Sequence, residues 1–168
     1  GLGETDAVKV LDSGNASIEK LALLGKYNRL DAWLAVQAVH KATGTSIEKL
    51  TEVVDHFPGL SRRMELIKPN LYSDYAHTPE KIRGAMSVAL EMAAEAGQEL
   101  VVVYEPLTNR RQHYMLDDYG DCFDGASQLY WIPSYLARED KNQRIIPPAE
   151  LISHLADPSF ALAYERNE

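Results

Sequence analysis

From Asn28 to about Thr43, apolar residues return with the period of a helix: Leu30, Trp33, Leu34 and Ala38, with Gln37 at the edge of the stripe. Gly44 stops that helix, and Thr45 with Glu48 reads as a capping box opening a second one. The second helix carries Ile47, Leu50, Val53 and Val54, and Pro58-Gly59 breaks it. Residues 28–57 therefore predict a helical hairpin.

After Met64 the period changes. Residues 64–67 and 71–74 predict two short strands joined by a turn at Lys68-Pro69-Asn70. Pro79 suits a first helical turn, and Ile82, Met86, Ala89, Leu90 and Ala93 line one face of a helix that Gly97 ends. The unbroken apolar run Leu100–Tyr104 predicts a strand buried on both faces. A helix over 113–123, a strand over 129–132 and a helix over 148–155 follow. Strand and helix thus alternate from residue 70 onward, which predicts an α/β, Rossmann-like, mostly parallel sheet with helices on both faces. In open sheets of this kind ligands meet the loops beyond the carboxyl ends of the strands. Two loops qualify, residues 74–79 and 105–111.

Composition narrows the classes. The 168 residues, 45% apolar and 25% charged, suit one soluble domain, or one domain and a fragment of another. A net charge of −8 argues against a nucleic-acid partner. Cys122, the single cysteine, forms no internal disulfide and reads as a small buried apolar residue, which fits a reducing cytosol. No apolar run approaches the roughly 18 residues of a membrane span, and no signal peptide opens the chain, so a cytoplasmic protein with no membrane partner is expected. The opening GLGETDAVKV, without Met, suggests a piece of a longer polypeptide. Asp117, Asp118, Asp121 and Asp124 lack the glycine and closing glutamate of a calcium loop, and His113 and His154 lack metal-ligand spacing, so no metal site is expected. No GxxxxGK[ST] phosphate loop occurs.

Four segments carry a resemblance. Asp74-Tyr75-Ala76-His77-Thr78-Pro79 resembles the DYAHxP signature of the Mur ligase family, in its place between a strand and a helix. Gly59-Leu60-Ser61-Arg62-Arg63-Met64-Glu65 is similar to the family's GxxRRFE, and Gly25–Ala32 to the GxHNxxNA that ends its central ATP-binding domain, with Tyr27 and Asp31 in place of the His and second Asn. Val101–Pro106 followed by Asn109 and Arg111 resembles the VVFQPHRYSR of the L-alanine-adding branch. Glu105-Pro106 with Thr108-Asn109 also resembles the EPRSN of the related murein-tripeptide ligases, so both branches stay open. The matches cover about residues 21–140, in the family's order.

The resemblance implies a C-terminal, amino-acid-binding domain over 58–168, with 1–57 the tail of the central ATP-binding domain. Such ligases use ATP and Mg²⁺ to phosphorylate a carboxylate, which an amine then attacks, and the protein chiefly positions groups and neutralises charge. By resemblance Arg63 and His77 would be catalytic. Asn28, Asp31, Arg63 and Asp74 would bind ATP, and Tyr75, His77, Asn109 and Arg111 the substrate. The implied partners are a UDP-muramyl substrate, L-alanine or a peptide, and the enzyme's own N-terminal and central domains. This fragment alone would hold neither ATP nor Mg²⁺ and would be inactive. The residues by themselves also allow plainer readings: Arg63 paired to Glu65, Asp74 as a turn residue, His77 as a cap, Arg111 as a solvated charge, and a non-catalytic Rossmann-like binding domain overall.

Overall fold

A computed structural model describes residues 15–136, 140 and 142–165. The chain divides after Pro58 into two compact units.

The first unit is built on α1 (Lys26–Thr43) and α2 (Ile47–Asp55). Its core joins Trp33 and Val36 of α1 to Ile18 and Leu21, with Leu30, Ile47, Leu50 and Val54 packed around them. The buried stripe of α1 is thus 30/33/36. Leu34 of the predicted face is 49% exposed, because one short partner helix covers only a narrow strip. Gly44, at φ 71°, ends α1 in the left-handed conformation that glycine adopts without penalty. The cap of α2 is Ser46, whose Oγ accepts the Lys49 N–H, and not Thr45. The Thr45 hydroxyl is taken by Thr43, 2.8 Å away.

The second unit opens with an antiparallel hairpin of β1 (Glu65–Lys68) and β2 (Leu71–Ser73). Asn70 turns it at φ 61°, a conformation asparagine tolerates better than most residues. Then come α3 (Pro79–Ala96), β3 (Val101–Tyr104), α4 (Asn109–Met115), a 3₁₀ turn over Leu116–Asp118, β4 (Gln128–Trp131), α5 (Pro148–Ile152) and β5 (Ala161–Ala163). Strands β3, β4 and β5 lie side by side in that order, all parallel, with Tyr104 opposite Trp131 and Trp131 opposite Ala163. The fold is α/β, with separate antiparallel and parallel sheets and flanking helices.

Tyr104, Leu129 and Trp131 of one sheet face join Ile82 and Met86 of α3, Met115 of α4, Tyr119, Phe123, and Leu151 and Ile152 of α5 in one core. Edge-to-face rings of Tyr104, Tyr119 and Phe123 surround Trp131 at 5.0–5.4 Å, an arrangement favoured by ring quadrupoles. Three expectations are corrected here. Among the described residues the helices join the core of one face only, and on the other face Val101 and Val103 of β3 are 54% and 66% exposed. The parallel strands step the same way, β3 to β4 to β5, and crossovers of one common hand, the right-handed rule for such units, put α4 and α5 on a single side. The helix expected over 113–123 begins earlier, at Asn109, and ends at Met115. Asp117, Asp118, Gly120 and Asp121 are poor helix formers, and turns bury Tyr119, Cys122 and Phe123 instead. Helix α5 also stops at Ile152, short of residue 155. No described helix is long and apolar enough to cross a membrane.

Candidate functional site

Asp74 follows β2, and its carboxylate draws two stretches of backbone together. Oδ2 accepts the Met64 N–H at 3.0 Å, and Oδ1 accepts the Ala76 N–H at 2.7 Å. Arg63 Nη1 approaches Oδ1 at 3.5 Å, and the Tyr75 N–H donates to the Arg62 carbonyl at 2.9 Å. Glu65 completes the turn, its Oε2 accepting the Arg62 N–H at 2.7 Å and the Ser61 hydroxyl at 3.1 Å. Arg63 therefore pairs with Asp74, not Glu65. These bonds hold Arg62 at φ 59° and Met64 at φ 45°, left-handed conformations that cost side-chain-bearing residues about 1–3 kcal/mol each.

The turn gathers Arg62, Arg63, Tyr75 and His77 at one place. The Arg62 guanidinium lies over the Tyr75 ring, 4.2 Å from its centre, a cation–π contact. The Tyr75 and His77 rings are 4.9 Å apart. His77 Nδ1 lies 2.7 Å from the Tyr75 carbonyl, so Nδ1 donates and, in the neutral ring, Nε2 keeps its lone pair. Two guanidiniums, an aromatic ring and an imidazole nitrogen suit a ligand that joins phosphate charge to a flat ring. Arg62 was missed by the sequence reading, although it sits beside Arg63 and its partner Tyr75 was singled out.

The loop from β3 to α4 is built differently. Thr108 caps α4, its Oγ accepting the Arg111 N–H at 3.3 Å. Asn109, Gln112 and Met115 turn inward at helical spacing, which leaves Arg111 exposed. Gln112 Nε2 donates to the Thr108 carbonyl at 3.3 Å, and Gln112 Oε1 accepts the Tyr119 hydroxyl. Burial pushes the Tyr104 hydroxyl pKa up to about 12, and raises that of Tyr119 further for the same reason. Both stay protonated and serve as hydrogen-bonding struts. Asn109 is 1% exposed, with both ends of its amide bonded to backbone at Arg144 and Ile146. It is a buried brace in this arrangement, and Arg111 is the outward-facing member of the predicted pair.

Asn28 and Asp31 lie in the first unit, both exposed at the start of α1. Asn28 Nδ2 donates to the Leu24 carbonyl at 2.8 Å, closing the entry to the helix. Elsewhere, a shallow groove beside α3 includes Arg83, Asp121 and Cys122 but none of the predicted site residues. Arg83 Nε donates to Asp121 there at 2.9 Å, and burial raises the Cys122 thiol pKa to about 11, which leaves it a poor nucleophile. Among the described residues no group of three or more His, Cys, Asp or Glu side chains is placed to hold a metal ion.

No model of a known protein family matches the chain. Curated proteins do. The chain is 30% identical over 133 residues to the UDP-N-acetylmuramate–L-alanine ligase of Rickettsia massiliae (strain Mtu5), covering 76% of this chain and 27% of that protein. It is 30% identical over 133 residues to the corresponding ligase of Rickettsia bellii (strain OSU 85-389), and 29% identical to that of Rickettsia africae (strain ESF-5). The chain spans about a quarter of the length of these relatives. It is homologous to part of such ligases and consistent with a Mur-ligase-like domain.

Proposed function

We propose that this chain is the amine-accepting, C-terminal part of an ATP-dependent, ADP-forming ligase that joins L-alanine to UDP-N-acetylmuramate in the cytosol, during peptidoglycan synthesis. The observation that carries the reading is the turn closed by Asp74, which brings Arg62, Arg63, Tyr75 and His77 together within a segment similar to the Mur signatures. Residues 1–57 then belong to the central ATP-binding part, with Asn28 and Asp31 toward the adenine, and residues 58–168 form the amino-acid-binding part.

When bound, ATP supplies the phosphoryl group that makes the muramyl carboxylate open to attack. The residues at the turn fit it. Arg63, with Arg62 beside it, neutralises phosphate charge, and guanidiniums match phosphate oxygens in geometry. Asp74 has two oxygens, and its bonds to the Met64 and Ala76 N–H groups leave lone-pair capacity for ribose hydroxyls. His77 Nε2 orients the incoming amine and Tyr75 walls the pocket. Arg111 holds the carboxylate of the incoming group through a two-pronged salt bridge. Mg²⁺, the phosphate loop and the UDP-sugar site are assigned to the N-terminal and central parts, so the present chain alone should not ligate. ADP release from this chain alone, given ATP, Mg²⁺ and UDP-N-acetylmuramate, would contradict that assignment.

A second reading has its own support. Glu105-Pro106 with Thr108-Asn109 resembles the murein-tripeptide ligases of cell-wall recycling, which perform the same chemistry with a larger incoming group. The test is ADP release by the full-length polypeptide with UDP-N-acetylmuramate, offering L-alanine and murein tripeptide separately. Preference for L-alanine supports the first reading, and preference for the tripeptide the second. Turnover with neither leaves a non-catalytic binding domain.

A further inference from the structure

Sixteen positions, 132–147, separate β4 from α5, and the described ones among them, 132–136, 140 and 142–147, are without helix or strand. This connection is tied down at both ends. Near its start the Tyr135 N–H donates to the Pro106 carbonyl at 3.2 Å, on the loop that leads into α4. Near its end Asn109 takes hold. Its Nδ2 donates to the Arg144 carbonyl at 3.0 Å, and its Oδ1 accepts the Ile146 N–H at 2.9 Å. One turn later along α4, His113 Nε2 donates to the same Arg144 carbonyl at 2.9 Å. Positions i and i+4 share a helix face, so Asn109 and His113 occupy both lone pairs of one carbonyl oxygen. Ile146 then enters the core at 1% exposure, and the Arg144 guanidinium meets both oxygens of Glu150 at 2.6 Å.

We infer that Asn109 is a positioning residue: with His113 it latches the β4–α5 connection to the helix that carries Arg111, and so sets which incoming amine that side of the site accepts. This role in selection rests on the ligase reading above; the latch itself does not. Without the Asn109 side chain the Ile146 N–H is left buried with no acceptor and the Arg144 carbonyl with one donor fewer, a loss felt where the loop meets α4.

Hydrogen exchange on the present chain tests the latch. Asn109→Ala should lower protection of the Ile146 amide by about tenfold or more, while the Leu129 amide, bonded to the Phe160 carbonyl in the sheet, keeps its protection. Unchanged protection at Ile146 overturns the latch. Should Asn109→Ala fail to fold, Asn109→Asp decides. It keeps an acceptor for Ile146 but turns a second oxygen toward the Arg144 carbonyl, and should lower protection near Arg144; no change there overturns the latch equally.

The full-length polypeptide tests selection. Asn109→Ala should raise KM for the incoming amine about tenfold and leave KM for ATP within about twofold. A purely structural role would lower the active fraction, and with it kcat, and leave both KM values and the ratio of L-alanine to tripeptide turnover where they were. That pattern overturns the positioning role. An unsubstituted enzyme that uses neither amine overturns the ligase reading and selection together, and exchange at Ile146 still decides the latch.

Discussion

Asp74 and Asn109 each come after a strand, Asp74 directly beyond β2 and Asn109 as the first residue of α4 beyond β3, and each turns its side chain onto backbone. Their surroundings then diverge. Asp74 braces a strained turn whose outward groups, Arg62, Arg63, Tyr75 and His77, stand together at the surface. Asn109 braces a distant stretch of chain from the buried side of α4, with Arg111 on the exposed side. A short polar side chain beyond a strand can thus brace backbone while its longer cationic neighbours reach outward. Sequence position alone does not separate the two roles. Counting the backbone N–H groups each side chain satisfies does.

Substitutions probe that contrast, from the strongest effect down. Asp74→Ala removes the acceptor for two backbone N–H groups and the partner of Arg63. It should cost about 2–4 kcal/mol in denaturant unfolding of the second unit, because hydrogen bonds to a charged group are the stronger kind and the freed donors are partly buried. A loss below about 0.5 kcal/mol would mean that Asp74 does not brace the turn.

Tyr119→Phe should cost about 1–2 kcal/mol in the same measurement, since the Gln112 oxygen beneath α4 loses its donor in a buried site. Arg62→Ala should cost only about 0.5–1 kcal/mol, the range of an exposed cation–π contact, and should alter the near-ultraviolet signal of Tyr75. A larger loss would make Arg62 part of the brace and blur the comparison.

The smallest effect is one of pH. Hydrogen bonding to Arg144 holds the Glu150 carboxyl below the ordinary glutamate range. The folded-state pKa is depressed, so the stabilisation is present above the unfolded value and is lost as pH falls through the folded one. Glu150→Gln should remove a small part of the acid-side fall in Tm and leave Tm near pH 7 almost unchanged, because the pair is exposed to solvent. An acid limb identical in the two proteins would contradict the depressed pKa.

Much of this was readable in advance for physical reasons. The hairpin about Asn70, the helix running from Pro79 to Gly97 and the run at Leu100–Tyr104 rest on turn chemistry, proline and glycine punctuation and unbroken apolar stretches, which act locally. The burial of β3 was misread because an apolar run shows that a strand can be covered on two faces and not that it is. The β3–β4–β5 crossovers decide that. The start of α4 is not legible in the apolar pattern, because its inward stripe begins with the polar pair Asn109 and Gln112. At the candidate site, the strand-helix alternation singled out the loop at 74–79, and only the resemblance to the Mur signatures pointed to Arg63, Asp74 and His77. The stacking of Arg62 on Tyr75 depends on left-handed residues at 62 and 64, a backbone choice that no periodicity announces.

In the proposed ligase the labour is divided between two cations, Arg63 of the Asp74 turn meeting the nucleotide and Arg111 of α4 meeting the carboxylate of the incoming amine. Steady-state kinetics of the full-length polypeptide carrying Arg63→Ala or Arg111→Ala test it most directly, with KM for ATP and for L-alanine measured separately. The account predicts that Arg63→Ala raises KM for ATP by about tenfold or more and spares L-alanine, and that Arg111→Ala does the reverse, since each removes one charged contact. If both substitutions raise the same KM, or neither raises either, the division is contradicted.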